Sequence, residues 1–111
     1  MKNKDVVTAL AALAHESRLA VFRALVEAGP QGIAAGKLST SLNVPASSMS
    51  FHLKELAHSG LIRNRHEGRY VIYTASFEDM NDLLGYLTKN YCGGNPCSAF
   101  SACSPPLEKQ E

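Results

Sequence analysis

A tight turn between two short helices is the feature that most constrains the fold of this chain. Apolar residues at helical spacing outline a third helix that we expect to end near Asn43; they are Ile33, Leu38 and Leu42. Val44-Pro45 then leads into a fourth helix over residues 46–59, which Gly60 closes at the position after its C-cap. Two short helices joined in this way predict a helix-turn-helix, a unit that also occurs in folds that bind no DNA.

The segment after the fourth helix predicts a β hairpin. Residues 61–65 and 69–74 are rich in β-forming side chains and flank His66-Glu67-Gly68. We expect Arg65 and Arg69 at the hairpin tip, with Arg63 nearby. These arginines would either contact DNA or keep an edge strand from aggregating. A helix-turn-helix followed by a basic hairpin is a winged helix.

Three further helices surround this unit. A first helix is expected over residues 5–13 with Asp5 as N-cap, and a second over residues 16–28, stopped by Gly29-Pro30. A fifth is expected over residues 77–91 after a Ser76 N-cap. The predicted fold is therefore α+β and mostly α, with four helices, two strands and a fifth helix. Residues 1–91 would form one DNA-binding and dimerisation domain, and residues 92–111 a cysteine-rich tail.

Composition sets limits on the class of protein. A chain of 111 residues with 45% apolar and 19% charged residues suits one ordinary soluble domain. The net charge of +1 gives no global signal for nucleic acid. Charges break the apolar runs before the roughly 20 residues that a membrane span needs, and the N-terminus lacks an apolar signal-peptide core. We expect a cytoplasmic protein with no membrane partner.

The fourth helix divides into a buried and an exposed face. Met49, Leu53 and Leu56 lie at i, i+4 and i+7 and are expected to face the core. The candidate DNA-binding residues lie on the opposite face: Ser47, Ser48, Ser50, Phe51 and Lys54. Serine can hydrogen-bond to base edges or phosphates, and an exposed phenylalanine can contact a thymine methyl group. Phe51 could instead pack on a neighbour, and a structural role is favoured over DNA contact for His52.

Three separated segments carry a resemblance to a known family. The run Ala46-Ser-Ser-Met-Ser-Phe-His-Leu-Lys-Glu-Leu-Ala-His-Ser-Gly-Leu-Ile, the run Arg65-His-Glu-Gly-Arg-Tyr-Val-Ile-Tyr and the upstream run Leu13-Ala-His-Glu-Ser-Arg-Leu resemble the ArsR/SmtB family of metal-responsive repressors. The resemblance implies a homodimer with the first and fifth helices at its interface. It also implies binding to an inverted-repeat operator in double-stranded DNA and repression of transcription until an inducer binds.

The resemblance also implies functions for individual residues. Ser47, Ser50 and Phe51 fall where the family reads bases, and Arg65 and Arg69 fall on the wing. Ala46 departs from the family, in which glutamine is frequent at this position, so a possible adenine-reading side chain is missing. The metal sites of relatives are not expected here, because residues 31–45 contain no cysteine or histidine and residues 67–91 contain no histidine.

All three cysteines of the chain, Cys92, Cys97 and Cys103, lie within its last 20 residues. In a reducing cytosol, clustered cysteines are more often metal ligands or reactive thiols than disulfides. Three soft thiolates favour soft ions, whereas structural zinc prefers four ligands. As(III) and Sb(III) take three thiolates in a pyramid, so either would suit this set as inducer. Cys103 is the least secure ligand because it lies farthest along the chain.

Other inducers remain open from the sequence. Cadmium, lead or zinc could bind if water or histidine completed the ligand shell, methylarsenite is a further candidate, and a thiol-disulfide switch would need no metal. An enzyme is not expected, because a phosphatase-like arsenate reductase places an arginine about six positions after its nucleophilic cysteine. No arginine follows Arg69, and no catalytic cofactor is expected.

Overall fold

The computed structural model describes residues 1–90 and Gly93. The helices are α1 (Asn3–Leu13), α2 (Glu16–Ala28), α3 (Ala35–Leu42), α4 (Ala46–His58) and α5 (Phe77–Leu87). The strands are β1 (Ile33–Ala34), β2 (Ile62–Glu67) and β3 (Tyr70–Ala75), and a 3-10 turn covers Gly29–Gln31. Apart from Gly93, the predicted tail lies outside the described residues, and so do its three cysteines. None of the helices in the described range is long and apolar enough to cross a membrane.

The sheet has one strand more than the sequence predicted. The three strands are antiparallel in the order β1-β3-β2, and β1 pairs Ile33 with Tyr73 and Ala34 with Ile72. The assignment of Ile33 to the third helix was therefore wrong, as was the predicted order of elements. Two residues are too few to show strand alternation. The strand forms because Gly32, at a φ of +71°, brings the chain against the backbone of β3.

The predicted helix boundaries are confirmed where the sequence carries a strong stop or capping signal. α2 covers the predicted residues and ends at Ala28, and its C-cap Gly29 has a φ of +73°, which suits glycine. Ser76 is confirmed as the N-cap of α5, since its Oγ accepts a hydrogen bond from the Asp79 backbone N–H at 3.4 Å. The predicted end of α5 at residue 91 was wrong, because Thr88 leaves helical geometry and the helix ends at Leu87.

The N-terminus of α1 also differs from the prediction. The N-cap is Lys2 rather than Asp5. Asp5 lies at the third helical position, where its carboxylate accepts a hydrogen bond from the Lys2 backbone N–H at 3.3 Å. An acidic residue in the first turn is favourable next to the partial positive charge of a helix N-terminus. Asp5 therefore stabilises the start of the helix from inside it.

The core lies between all five helices and the base of the hairpin. Its largest fully buried side chains are Leu25, Leu38, Met49, Leu53, Leu56, Leu61 and Val21. The predicted buried stripe of α4 is thus confirmed. In α2, Val21 is buried and Leu19 is exposed. Burial of α4 along one side fixes which of its faces points outward.

Candidate DNA-binding surface

The turn between α3 and α4 sets the direction of the candidate recognition helix. Asn43 ends α3 in the left-handed conformation with a φ of +55°, a region that asparagine tolerates better than most residues. The Val44 N–H donates to the Ser39 carbonyl at 3.0 Å, and the Met49 N–H donates to the Pro45 carbonyl at 2.8 Å. The first bond closes α3 and the second opens α4, so the two helices are joined by a fixed turn.

The exposed face of α4 carries the residues that the sequence predicted. Ser47, Ser48, Ser50, Phe51 and Lys54 are all exposed. Phe51 retains 53% of its accessible surface, which is unusual for a phenylalanine in a small domain. We call these five residues the α4 face. It combines hydroxyl groups, an apolar ring and a cation on one side of a helix, a set able to contact bases and phosphates in a major groove.

A cluster of three side chains lies beside the α4 face: His15 and Arg18 at the start of α2, and His52 of α4 itself. His52 is 8% exposed, and its Nδ1 accepts a hydrogen bond from Arg18 Nε at 3.3 Å. The His15 ring lies against the His52 ring with centroids 4.8 Å apart. The Arg18 guanidinium carbon lies 5.4 Å from the centroid of the Phe51 ring. The predicted structural role of His52 fits this placement, and Phe51 does contact a neighbour while remaining exposed.

The charge state of this cluster follows from its burial. Burial lowers the pKa of His52 below the usual histidine value, and the neighbouring His15 and Arg18 act in the same direction. A neutral His52 keeps Nδ1 available as a hydrogen-bond acceptor, as the bond from Arg18 requires. His15 meanwhile caps α2, because its Nδ1 accepts a hydrogen bond from the Ser17 N–H at 3.2 Å. The cluster therefore links the start of α2 to the middle of α4.

His15 and Arg18 also belong to this surface, although the sequence did not indicate it. The bond between Arg18 and His52 joins residues 34 positions apart, and helical periodicity gives no information on such a pair. The polar residues at the start of α2 were an available signal. They are exposed or half-buried and do not belong to the buried stripe of that helix.

The hairpin formed by β2 and β3 is the wing, and its three arginines differ in their surroundings. The tip is the Gly68-Arg69 turn, so Arg69 lies there as predicted. Arg65 was wrongly placed at the tip, because it pairs with Ile72 farther down the hairpin. Its guanidinium donates to the Pro30 and Gln31 carbonyls at 3.2 and 2.9 Å and to Glu67 at 2.6 Å.

Arg63 lies at the base of the wing beside the start of α5. Its Nη2 is 3.6 Å from a carboxylate oxygen of Glu78 and 3.6 Å from one of Asp79. The pair with Glu78 is largely exposed, and such a pair contributes at most about 1 kcal/mol to stability, whereas the Asp79 side chain is 30% exposed. Within residues 1–90 and 93, Arg69 makes no ion pair, which leaves it as the wing arginine with the most readily available charge.

An apolar surface lies on the two terminal helices. Val7 and Leu10 of α1 and Leu84 and Leu87 of α5 each keep at least 42% of their surface exposed. The Tyr86 hydroxyl donates to Asn3 Oδ1 at 2.8 Å and joins the two helices. We call Val7, Leu10, Leu84 and Leu87 the α1/α5 face. Exposed apolar side chains on neighbouring helices are typical of sites of protein association.

The described part of the chain contains no group of three or more His, Cys, Asp or Glu residues arranged to hold a metal ion. The predicted ligands Cys92, Cys97 and Cys103 lie outside that part.

Comparison with known proteins identifies relatives across most of the chain. A family model described as a helix-turn-helix domain matches residues 13–65. The chain is 33% identical over 89 residues to the transcriptional activator HlyU of Vibrio cholerae, and the match covers 80% of each protein. It is 30% identical over 83 residues to the HTH-type transcriptional regulator YgaV of Escherichia coli K12, covering 75% of this chain and 82% of YgaV.

Solved structures agree with these relatives. HlyU of Vibrio cholerae matches with a TM-score of 0.64 and 31% identity, covering 83% of this chain and 99% of HlyU. A second structure of that protein, described as reduced HlyU, matches with a TM-score of 0.61 and 30% identity, covering 80% of this chain and 90% of HlyU. An ArsR-like transcriptional regulator from Rhodococcus sp. RHA1 matches with a TM-score of 0.72 and 25% identity, covering 82% of this chain and 83% of that protein.

The winged helix-turn-helix fold, together with these relatives, defines a DNA-binding transcriptional regulator rather than an enzyme. The extent and identity of the matches place it further: the chain belongs to the ArsR/SmtB family of helix-turn-helix regulators.

Proposed function

We propose that this protein is a homodimeric repressor that binds an inverted-repeat operator and releases it when As(III) or Sb(III) binds Cys92, Cys97 and Cys103. The observation that carries the DNA-binding part is the α4 face, held outward by the buried side of α4 and flanked by the wing. In the proposed complex the α4 face enters the major groove, and Arg65 and Arg69 of the wing lie near the DNA backbone. Residues Ser47, Ser48, Ser50, Phe51 and Lys54 supply the contacts from α4.

Replacement of one serine tests the α4 face. Operator DNA would be isolated by selecting random-sequence duplexes with the wild-type protein. Ser50→Ala should weaken binding to the selected duplex, because one lost hydrogen bond costs about 0.5–1.5 kcal/mol, or roughly 2- to 13-fold per subunit. Ser41→Ala is the matched control, since Ser41 is also exposed but lies on α3. Equal affinities of the two variants would contradict the assignment of Ser50.

The dimer is supported by the α1/α5 face. Two such faces packed about a twofold axis would remove four exposed apolar side chains of each subunit from water. The same axis would place two α4 faces side by side, and half-sites one helical turn apart match that arrangement in helix-turn-helix dimers. An inverted-repeat operator follows from this symmetry.

The inducer proposal depends on the chemistry of the donor set. Three thiolates complete a pyramidal As(III) or Sb(III) centre, whereas a tetrahedral metal would need a fourth ligand. Cys92 follows closely after the end of α5, which carries part of the α1/α5 face. An ion bound there would change the angle between the two winged helix-turn-helix units of the dimer. A coupling of about 1–3 kcal/mol, typical of allostery, changes operator occupancy by about 5- to 150-fold.

A DNA-release titration tests the inducer. Arsenite and antimonite should release the operator at lower concentration than cadmium, lead or zinc, and methylarsenite is included because it can bind only two thiolates. Cys92→Ser and Cys97→Ser should keep operator affinity and lose release by arsenite, and Cys103→Ser shows whether the third thiol is a ligand. Unchanged release from both of the first two variants would contradict the proposal.

The direction of regulation has its own test, because the relative HlyU is named a transcriptional activator. Deleting the gene should raise the transcript controlled by the selected operator if the protein represses. A fall in that transcript would mean activation.

A thiol-disulfide switch is the second candidate, and the likeness to a structure described as reduced HlyU favours it. In this mechanism two of the three thiols would each lose a proton and an electron to an oxidant such as peroxide and form a disulfide. Peroxide would then release the operator in metal-free buffer and a dithiol reductant would restore binding. Release by arsenite under reducing conditions would favour the metalloid.

A further inference from the structure

An open notch beside the α4 face contains an arginine, Arg18, that belongs neither to the α4 face nor to the wing. It lies between the starts of α2 and α4 and is lined by His15, Arg18, Ser47, Ser48, Phe51 and His52. Three of these residues belong to the α4 face. Any duplex seated on that face therefore lies beside the notch.

Contacts on two sides fix the Arg18 side chain. Its Nε is bonded to the buried His52, and its guanidinium carbon lies over the Phe51 ring. A flexible arginine loses much side-chain entropy when a ligand orders it, whereas one already held by a hydrogen bond and an aromatic ring loses less. Arg18 is thus ordered before any ligand arrives.

The remaining donors of Arg18 are available for an external acceptor. The Nη1 and Nη2 atoms donate to no group among the described residues, and the side chain is only half-buried. The Ser47 and Ser48 hydroxyls line the same notch. A guanidinium with two available nitrogen atoms beside two hydroxyls matches the oxygens of a phosphate group, to which arginine binds through paired hydrogen bonds.

We propose that Arg18 is a phosphate-contacting residue of the operator complex. The His52 ring and the Phe51 ring orient its guanidinium toward the DNA backbone next to the bases that the α4 face contacts. This inference rests on the proposed DNA-binding function. Arg18 adds a contact that is independent of base sequence, whereas Ser50 and Phe51 would contact bases.

The salt dependence of binding tests this role, because each phosphate contact contributes about 0.9 to the slope of log K against log salt concentration. In the full-length dimer, Arg18→Gln should reduce that slope by roughly 1.8, since two contacts are lost. Its affinity should fall by a similar factor on selected and on unrelated duplexes. Arg23→Gln is the matched control, because Arg23 lies on the same helix, pairs with Glu27 and is 71% exposed.

Two further variants separate a contact from a structural role. Arg18→Met keeps an aliphatic stem over Phe51 and should show the same loss of slope, which covers the case that Arg18→Gln does not fold. Arg18→Lys keeps the charge and should retain most of the slope. The inference would be overturned if folded Arg18→Gln or Arg18→Met kept the wild-type slope while Ser50→Ala still weakened binding. That outcome would leave the proposed function intact. A wild-type protein that binds no duplex would overturn the proposed function and this inference with it.

Discussion

Gly32 lies directly before β1 and allows that strand to pair with β3 of the wing. Replacing Gly32 by alanine should destabilise the protein strongly. Gly32 has φ and ψ of +71° and −172°, a region that is almost restricted to glycine and costs other residues about 1–3 kcal/mol. A Cβ atom at this position would overlap the Tyr73 carbonyl oxygen and lie 2.7 Å from Thr74 Cγ2 and 2.8 Å from Ile72 Cγ2. The pairing of β1 with β3 would have to open.

Gly29 provides a control with nearly the same backbone conformation. Its φ and ψ are +73° and −157°, but a Cβ atom there meets nothing within 4 Å. Gly29→Ala should therefore lose only the conformational part, about 1–3 kcal/mol. Gly32→Ala should lose that amount and about 1–3 kcal/mol more for the steric overlap, because β3 backbone atoms cannot move as a flexible side chain would.

Urea denaturation measures both variants directly. The free energy of unfolding in water should be lower for Gly32→Ala than for Gly29→Ala by about 1–3 kcal/mol, with similar m-values if both unfold in one step. At urea-free conditions where both remain folded, Gly32→Ala should also bind operator more weakly, since the wing would shift against the α4 face. Equal unfolding free energies would show that close packing on β3 does not require glycine at position 32.

Two further predictions concern the α1/α5 face and His52. Leu84→Glu should convert the dimer to a monomer in sedimentation velocity, while Leu19→Glu on α2, at a similar exposure of 45% against 51%, should remain dimeric; two monomers or two dimers would contradict the proposed interface. The pKa of His52 is lower in the folded protein than in the unfolded chain, so the unfolded chain takes up a proton more readily. The neutral His52 therefore contributes stability above the usual histidine pKa of 6.5, and this contribution is lost as pH falls through the pKa of the folded protein. The groups facing it are His15 and Arg18, and the urea midpoint should fall less between neutral and mildly acidic pH in His52→Asn than in wild type; equal falls would count against His52 as the titrating group.

The sequence predicted those elements whose limits are set by local chemistry. Gly29-Pro30 stops α2 at the predicted residue, and the apolar residues of α4 recur at a spacing that permits one buried face. Where pairing with a distant segment decides the structure, the prediction was wrong. Ile33 is apolar and fits the spacing of the third helix, but it pairs with Tyr73 of β3, which lies 40 positions later in the sequence. No local pattern in the sequence records that pairing.

The same distinction applies to the candidate site. The exposure of the α4 face followed from the buried stripe opposite to it, so its residues could be named from the sequence. Arg18 could not be named from the sequence, because its position beside Phe51 and His52 depends on how α2 crosses α4. Leu19 and Val21 show the same limit in the core: both are apolar, and only the crossing determines that Val21 is buried and Leu19 exposed.

The arginines show why charge on a wing is weak evidence for DNA contact unless the surroundings of each side chain are known. In sequence, Arg63, Arg65 and Arg69 are three similar cations on one hairpin. In the structure, Arg63 faces two carboxylates at the start of α5, and the Arg65 guanidinium donates hydrogen bonds to backbone carbonyls of the turn after α2. A DNA phosphate would have to compete with those partners. Arg69 and Arg18 face no such competition among the described residues, so the phosphate-dependent part of operator binding should depend more on these two than on Arg63.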